Sequence, residues 1–399
     1  MKKKREKTSN SLTSRSENFT LDEKKDRLNE LMANMKKASP DTVLGFASDS
    51  NISKALNYDK IPTGITQLDT NLDGGIPSGK FTVFTGRSQT GKSSMAYQLI
   101  GNNQQQDPEA IWLIADIENS YDPEWVKNLG VDEDRLIFAE TDIMEDVLQR
   151  VVDISRTGCL TGVLIDSIGA LLPRAEVEAP ASKAGIKPKE RTLRQENVAV
   201  SNRKIGQFYR MANKTISHYN TATILIAHVY TDINSMSHGE RLITKGGNAT
   251  KHFAHMRLGF RRAYDKDKEV MVRMPDGREK KVISGFDSVI TVEKTKQGAH
   301  EGHQVYIPFT FGIGFDSKQC TINAAFAAGV IEQAGAWYRH RMFPEGKLQG
   351  KKSVINYITS NDDIYSQILN DLILFNSGEE NIIGKDKQVE EVNTKSKEA

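Results

Sequence analysis

Gly86-Arg87-Ser88-Gln89-Thr90-Gly91-Lys92-Ser93 fits the pattern G-x-x-x-x-G-K-[ST]. Its glycines let the backbone turn N–H groups inward around phosphate oxygens. The Lys92 ammonium suits β- and γ-phosphates, and the Ser93 hydroxyl suits a magnesium ion. A motif this short also arises as a plain Gly-rich turn, so its flanks carry the argument. Before it, Lys80-Phe81-Thr82-Val83-Phe84-Thr85 is aromatic and β-branched and reads as a buried strand. After it, Ser94-Met95-Ala96-Tyr97-Gln98-Leu99-Ile100 reads as the start of a helix. Strand, loop and helix N-terminus together bind phosphate. The stretch Gly86 to Ser94 is therefore the candidate nucleotide site.

Outward from this loop, strands alternate with helices. The turn-rich segment Ile61 to Gly79 leads in, and a polar loop from Gly101 to Pro108 is expected after the first helix. Strands are read at Ala110–Ala115, Arg135–Ala139, Thr161–Ile165 and Ala222–Ala227, with helices around Trp125 and from Met144 to Ser155. This alternation predicts an α/β fold with a mostly parallel sheet flanked by helices. After residue 257 the pattern changes. Val270–Met274 and Lys280–Ile283 flank Pro275-Asp276-Gly277, a hairpin signal. Further strands are read at Ser288–Val292 and Gln304–Ile307, then a smaller, mainly helical unit over 318–375.

The ends differ from this core. Residues 1–19 are basic, Ser/Asn-rich and expected to be disordered, as is the polar tail 376–399. Within 20–60, Thr20-Leu21-Asp22-Glu23 is a capping box, and Leu28, Leu31, Met32 and Met35 follow at helical spacing. This helix and its linker stand outside the nucleotide core. It packs on its own domain or docks on a second copy.

Bulk properties exclude several classes. The 399 residues are 38% hydrophobic and 27% charged, as in a soluble globular protein, and no apolar run reaches the length of a membrane span. No apolar segment follows Met1-Lys2-Lys3-Lys4-Arg5, so no secretory signal is expected. Two distant cysteines, Cys159 and Cys320, give no disulfide framework and suit a reducing cytosol. The net charge of +2 announces no nucleic-acid binder, so any such site must rest on local clusters.

Ligands on open α/β sheets bind at the carboxyl ends of strands. Asp166 ends Val163-Leu164-Ile165 in the Walker B arrangement and can hold magnesium beside Ser93. Glu118 and Asp116 both lie at another strand end. By spacing alone either carboxylate could polarise a water for attack on a γ-phosphate. His228 ends a third strand; it is a structural histidine or a reporter of the γ-phosphate.

From about Ile61 to Phe375 the sequence resembles the RecA family of recombinases, including its phage UvsX-like branch. The resemblance rests on four blocks in the family's order. They are Ser120-Tyr121-Asp122-Pro123 with Leu129-Gly130-Val131-Asp132; Ile165-Asp166-Ser167-Ile168-Gly169-Ala170-Leu171-Leu172-Pro173-Arg174-Ala175-Glu176; Gly246-Gly247-Asn248-Ala249 with Arg257-Leu258 and Arg261-Arg262; and Ala334-Gly335-Ala336-Trp337-Tyr338. The resemblance implies a P-loop ATPase core over 61–317, a small C-terminal α/β domain over 318–375, and an N-terminal oligomerisation helix. It assigns water activation to Glu118 rather than Asp116, adenine stacking to Trp125, an adenine amino contact to Asp122, and γ-phosphate sensing to His228. A histidine there leans toward the UvsX-like branch. Lys294 and Lys296 match lysines that reach a neighbour's ATP. ATP and Mg2+ are the implied cofactors.

The implied partners are single-stranded DNA, homologous duplex DNA, further copies in a helical filament, and single-strand-binding and loader proteins, in the cytoplasm of a bacterial host. No membrane is implied. A first DNA loop falls at about Glu178 to Val198, carrying Lys183, Lys187, Lys189, Arg191 and Arg194, followed by Arg203 and Arg210 on a helix. A second falls at about Val229 to Lys245, with Ile233 and Met236 as wedges between bases and Arg241 and Lys245 on phosphates. Four features depart from bacterial members: a longer first loop, no aromatic beside Met236, an inserted hairpin near Pro275, and a less acidic tail. The expected function is a DNA-dependent ATPase that pairs and exchanges strands. The alternatives are a hexameric helicase on the same core and a non-catalytic ATP-binding regulator.

Overall fold

The computed structural model describes residues 19–39, 44–50, 52, 57–140, 143–174, 198–231, 242–244, 247–274, 278–296 and 301–377. The first-loop segment 178–197, Ile233, Met236, Arg241, Lys245, the turn 275–277 and both expected tails, save Phe19, Asn376 and Ser377, lie outside these residues. The chain divides into two compact units, Met1–Tyr58 and Asp59–Ala399.

The first unit contains helix α1 (Leu21–Ala38). Its capping box forms as read: the Glu23 N–H donates to Thr20 Oγ1, and the Thr20 N–H donates to Glu23 Oε2 at 2.8 Å. No residue of α1 is buried, and Leu21, Leu28, Leu31 and Met35 are exposed.

The second unit opens with β1 (Lys60–Ile61), α2 (Thr66–Asn71) and β2 (Ile76–Pro77). Helix α2 lies within the segment read as turns. Asp69 fastens it by accepting from the Thr63 N–H and hydroxyl, both at 2.7 Å. Then come β3 (Phe81–Gly86), α3 (Lys92–Gln106), β4 (Trp112–Asp116), α4 (Pro123–Asn128), β5 (Leu136–Ala139), α5 (Met144–Ser155) and β6 (Gly162–Asp166). The polar loop expected from Gly101 is a correction: α3 runs on to Gln106. Two of its polar residues, Asn103 and Gln104, are buried and satisfied there. Asn103 Oδ1 accepts from Trp112 Nε1 at 2.8 Å, and Gln104 bonds the backbone of Asp132 and Arg135. Helix α5 matches the sequence reading; Met144, Val147, Leu148 and Val151 recur on one buried face.

Next follow α6 (Val198–His218), β7 (Ala222–Thr231), β8 (Leu242–Thr244), α7 (Gly247–Phe253), β9 (Met256–Arg273), β10 (Glu279–Thr295), β11 (Gln304–Thr310) and β12 (Gly314–Phe315). Strands β9 and β10 form one long antiparallel hairpin about the expected turn. The chain continues through α8 (Ser317–Ala328), β13 (Glu332–Ala334), β14 (Trp337–Arg339), β15 (Lys347–Gln349), α9 (Lys351–Thr359) and α10 (Asp362–Ser377). The segment read as mainly helical thus includes a three-stranded antiparallel sheet, β13-β14-β15. Its strands are three residues long, too short for a periodic signal.

The main sheet has the order β12-β11-β10-β9-β3-β7-β6-β4-β5. From β9 to β5 every pairing is parallel, and β10 to β12 extend it antiparallel. One face packs Leu68, Met95, Leu99 and Ile100 from α2 and α3. The other packs Val147, Val151, Phe208, Tyr209 and Ile216 from α5 and α6. A third cluster, with Ile322, Tyr338, Val354, Ile358 and Ile368, forms the core of the C-terminal elements. The parallel strands all end on one edge, so the β3, β4, β6 and β7 termini converge there.

Candidate nucleotide site

The loop after β3 takes the conformation its glycines allow. Gly91 has φ 93°, in the left-handed region, and a Cβ there would lie 2.6 Å from the Phe315 ring. Lys92 begins α3, two residues earlier than the sequence reading. Its ammonium is buried and donates to the Arg87 carbonyl at 2.7 Å, as does the Thr90 hydroxyl at 2.9 Å. Burial lowers the Lys92 pKa to about 8, while Asp166 and Glu118 pull it upward.

Asp166 stands in register with Asp116 across β6 and β4, and both are buried. Asp116 shapes the turn after β4 by accepting from the Tyr121 N–H at 2.8 Å. Asp166 is different: neither of its oxygens has a well-formed hydrogen bond. Burial raises its pKa to about 6; the Ser93 hydroxyl, facing it too loosely to close a good bond, draws it down, while Glu118 and Asp116 push it up. A buried carboxylate short of partners beside a serine hydroxyl fits one side of a magnesium shell, with water and phosphate oxygens completing it. No group of three or more His, Cys, Asp or Glu able to hold a metal occurs among the described residues. An all-protein cage is therefore not what this site offers.

Glu118 is held from two other strands. Ser167 donates to its Oε1 at 2.6 Å, and His228 Nε2 lies 3.0 Å from the same oxygen. His228 in turn has Nδ1 3.4 Å from Ser88 Oγ in the phosphate loop, in register beside Gly86. The Glu118 pKa is lowered to about 2, chiefly by the His228 bond against burial, with Ser167 adding to it. A chain Ser88–His228–Glu118–Ser167 thus crosses the strand ends. The sequence reading named three of its members; Ser167 was quoted only as part of a block.

On the nucleoside side, a cavity of about 520 Å3 is lined by Gln89, Gly91, Ser94 and Trp125, and by Arg262, Phe286, Phe309 and Phe311, to which the sequence reading gave no site role. The Arg262 guanidinium lies 4.2 Å over the Phe286 ring and donates to the Gln89 carbonyl at 2.9 Å. Asp122 caps α4, accepting from the Glu124 and Trp125 N–H groups through Oδ1 alone.

Lys294 and Lys296 are not brought to this edge. The Lys296 N–H reaches the His255 carbonyl, and the His255 N–H reaches the carbonyl of Phe81, the first residue of β3. Lys296 is thus roughly 16 Å along the strand from the phosphate loop, and Lys294, paired with Arg257 beside Val83, roughly 10 Å. Arg203 and Arg210 are exposed on α6.

Residues 41–284 match the RecA N-terminal domain. The chain is 31% identical over 314 residues to Protein RecA of Thermus aquaticus, covering 78% of this chain and 84% of that protein. It is 30% identical to Protein RecA of Acidothermus cellulolyticus, over 78% and 82% of the two chains. Against Protein RecA of Streptomyces coelicolor it is 30% identical, over 77% and 75%. A domain match over more than half of this chain, and relatives matched over most of their own length, place this chain in the RecA family.

Proposed function

We propose that Glu118 activates the water that attacks ATP, and that each ATP site is completed by Lys294 and Lys296 of an adjoining protomer. As a RecA-family protein the chain is a DNA-dependent ATPase that forms filaments on single-stranded DNA and carries out pairing and strand exchange. One observation carries the site reading. His228 bridges the phosphate loop to the Glu118 carboxylate, while Lys294 and Lys296 stand level with Val83 and the start of β3 and bond carbonyls of α7. Lysines so placed cannot serve their own protomer's phosphates, so they suit a neighbour's.

In this reading the loop N–H groups and Lys92 hold the β- and γ-phosphates. Ser93 and Asp166 hold Mg2+, which offsets phosphate charge when bound. Trp125 stacks on adenine and Asp122 meets its amino group. Glu118, ionised and fixed through Oε1, accepts the proton of the attacking water. His228 touches both the loop and Glu118, so it is placed to sense the γ-phosphate. A histidine in that role supports the UvsX-like branch and a phage origin. Joining the site across protomers makes ATP binding and assembly one event.

DNA contacts fall to Arg203, Arg210 and the second loop, with Ile233 and Met236 between bases and Arg241 and Lys245 on phosphates. Backbone contacts of this kind suit any sequence. The exposed apolar stripe of α1 supports docking on a second copy. A filament that competes for single strands calls for single-strand-binding and loader proteins. No helix among the described residues is long and apolar enough to cross a membrane. A cytoplasmic setting in a bacterial host fits the reading. Imaging with single-stranded DNA and a slowly hydrolysed ATP analogue tests it. Long helical filaments are expected; closed rings or unassembled protomers refute it.

A further inference from the structure

The end of β10 departs from a regular ladder. Val292 pairs with Leu258, and Lys294 pairs with Arg257, so Glu293 is the extra residue of a β-bulge. In a regular strand Lys294 would share the face of Val292. The bulge moves it to the face of Arg257 instead. There Lys294 Nζ donates to the Lys251 carbonyl of α7 at 2.6 Å, and Lys296 Nζ to the His252 carbonyl at 3.4 Å.

Glu293 fastens the bulge. Its Oε2 accepts from Thr85 Oγ1 at 3.1 Å and pairs with an Arg257 guanidinium nitrogen at 2.9 Å. To reach Thr85 the side chain passes over Gly259, where a Cβ would stand 2.3 Å from Oε1. Thr85 is the residue before Gly86 and pairs with Gly259. One carboxylate therefore ties the strand entering the phosphate loop, the central strand β9, and the end of β10.

We propose that Glu293 is a positioning residue for the ATPase reaction: locked over Gly259, it holds the bulge that aims Lys294 and Lys296 at the neighbouring protomer's nucleotide. This rests on the shared-site reading above. Glu293 acts on the lysines through the strand end it fastens. Its effect on the lysines passes through the strand end, so the part of its loss that runs through them should be felt at the neighbour's site.

Protomer mixing tests this. Glu293→Gln keeps the side-chain shape but removes the charge facing Arg257. Gly259→Ala leaves Glu293 intact but fills the space it crosses. Each variant should still bind a fluorescent ATP analogue and form filaments, while its DNA-stimulated kcat falls by roughly tenfold or more with a smaller change in KM. Each is then mixed with Glu118→Gln. In a random equimolar filament about a quarter of the junctions join an intact hydrolytic site to intact lysines. The mixture should recover a rate well above the mean of the two variants alone. A mixture no faster than that mean places the defect in the variant's own site and overturns the proposal, as does an unaltered rate for Glu293→Gln by itself. Lys294→Ala with Lys296→Ala, mixed with Glu118→Gln, separates the two levels. Rescue there without rescue of Glu293→Gln overturns the positioning role alone. No rescue there overturns the shared site, and the positioning role with it.

Discussion

Replacing Glu118 by glutamine removes a charge and a base while leaving the volume unchanged. Both bonds that orient the carboxylate fall on Oε1: Ser167 at 2.6 Å and His228 at 3.0 Å. Glutamine can keep its carbonyl oxygen toward Ser167, so the turn after β4 should survive. What is lost is the proton acceptor. General-base assistance contributes about 10²- to 10⁴-fold, or about 3–5 kcal/mol on the barrier. The Glu118 pKa is held at about 2, chiefly by the His228 bond, so the parent enzyme carries an ionised base throughout the assay range. The ratio of parent to variant rates should therefore stay flat between about pH 6 and 8. The assay is phosphate release with saturating ATP and single-stranded DNA, beside binding of a fluorescent ATP analogue and filament imaging. Binding and filaments should persist while kcat falls by about 100-fold or more. A rate within about threefold of the parent, with binding intact, would remove Glu118 from the chemistry.

Other outcomes follow from the same geometry. Trp125→Ala opens one wall of the nucleoside cavity; losing an aromatic stack worth about 1 kcal/mol should raise the KM for ATP about fivefold with little change in kcat. An unchanged KM would take Trp125 away from adenine. His255 is half-buried near Lys80, Lys296, Lys294 and Lys60, and burial first, then those charges, lower its pKa to about 4. The unfolded chain thus takes up this proton near 6.5, before the folded one does, so stability is full above that pH and declines as pH falls toward 4. Lys294→Ala with Lys296→Ala should raise the His255 midpoint, read by NMR titration of the ring protons. An unmoved midpoint would mean that the two lysines do not act on it.

The capping box at Thr20 and Glu23, helix α5, and the β3–loop–α3 unit were all legible in the sequence. Each is specified by residues a few positions apart, where spacing fixes geometry. The candidate carboxylates at strand ends were legible for a related reason: a buried strand advertises where it stops. Reading failed where polar residues turn inward, as at Asn103 and Gln104, which hide the last turns of α3 behind a polar composition. It failed again for β13 to β15, too short for any period to show.

Sequence alone thus determined the phosphate loop, the α/β class and the roster of acids that could serve it. Tertiary structure decided which of them meet. Ser167 and His228 meet at Glu118, with Ser88 behind His228, only because β3, β4 and β6 end in register beside His228 of β7, which itself runs on to Thr231. Arg262, Phe286 and Phe309 join Trp125 only because the β9–β10–β11 edge folds beside α3 and α4. The bulge at Glu293 exists only as a mismatch between two strands, and no single strand records it. Spacing along one element is fixed by covalent geometry, whereas contact between elements depends on register and packing across the whole sheet.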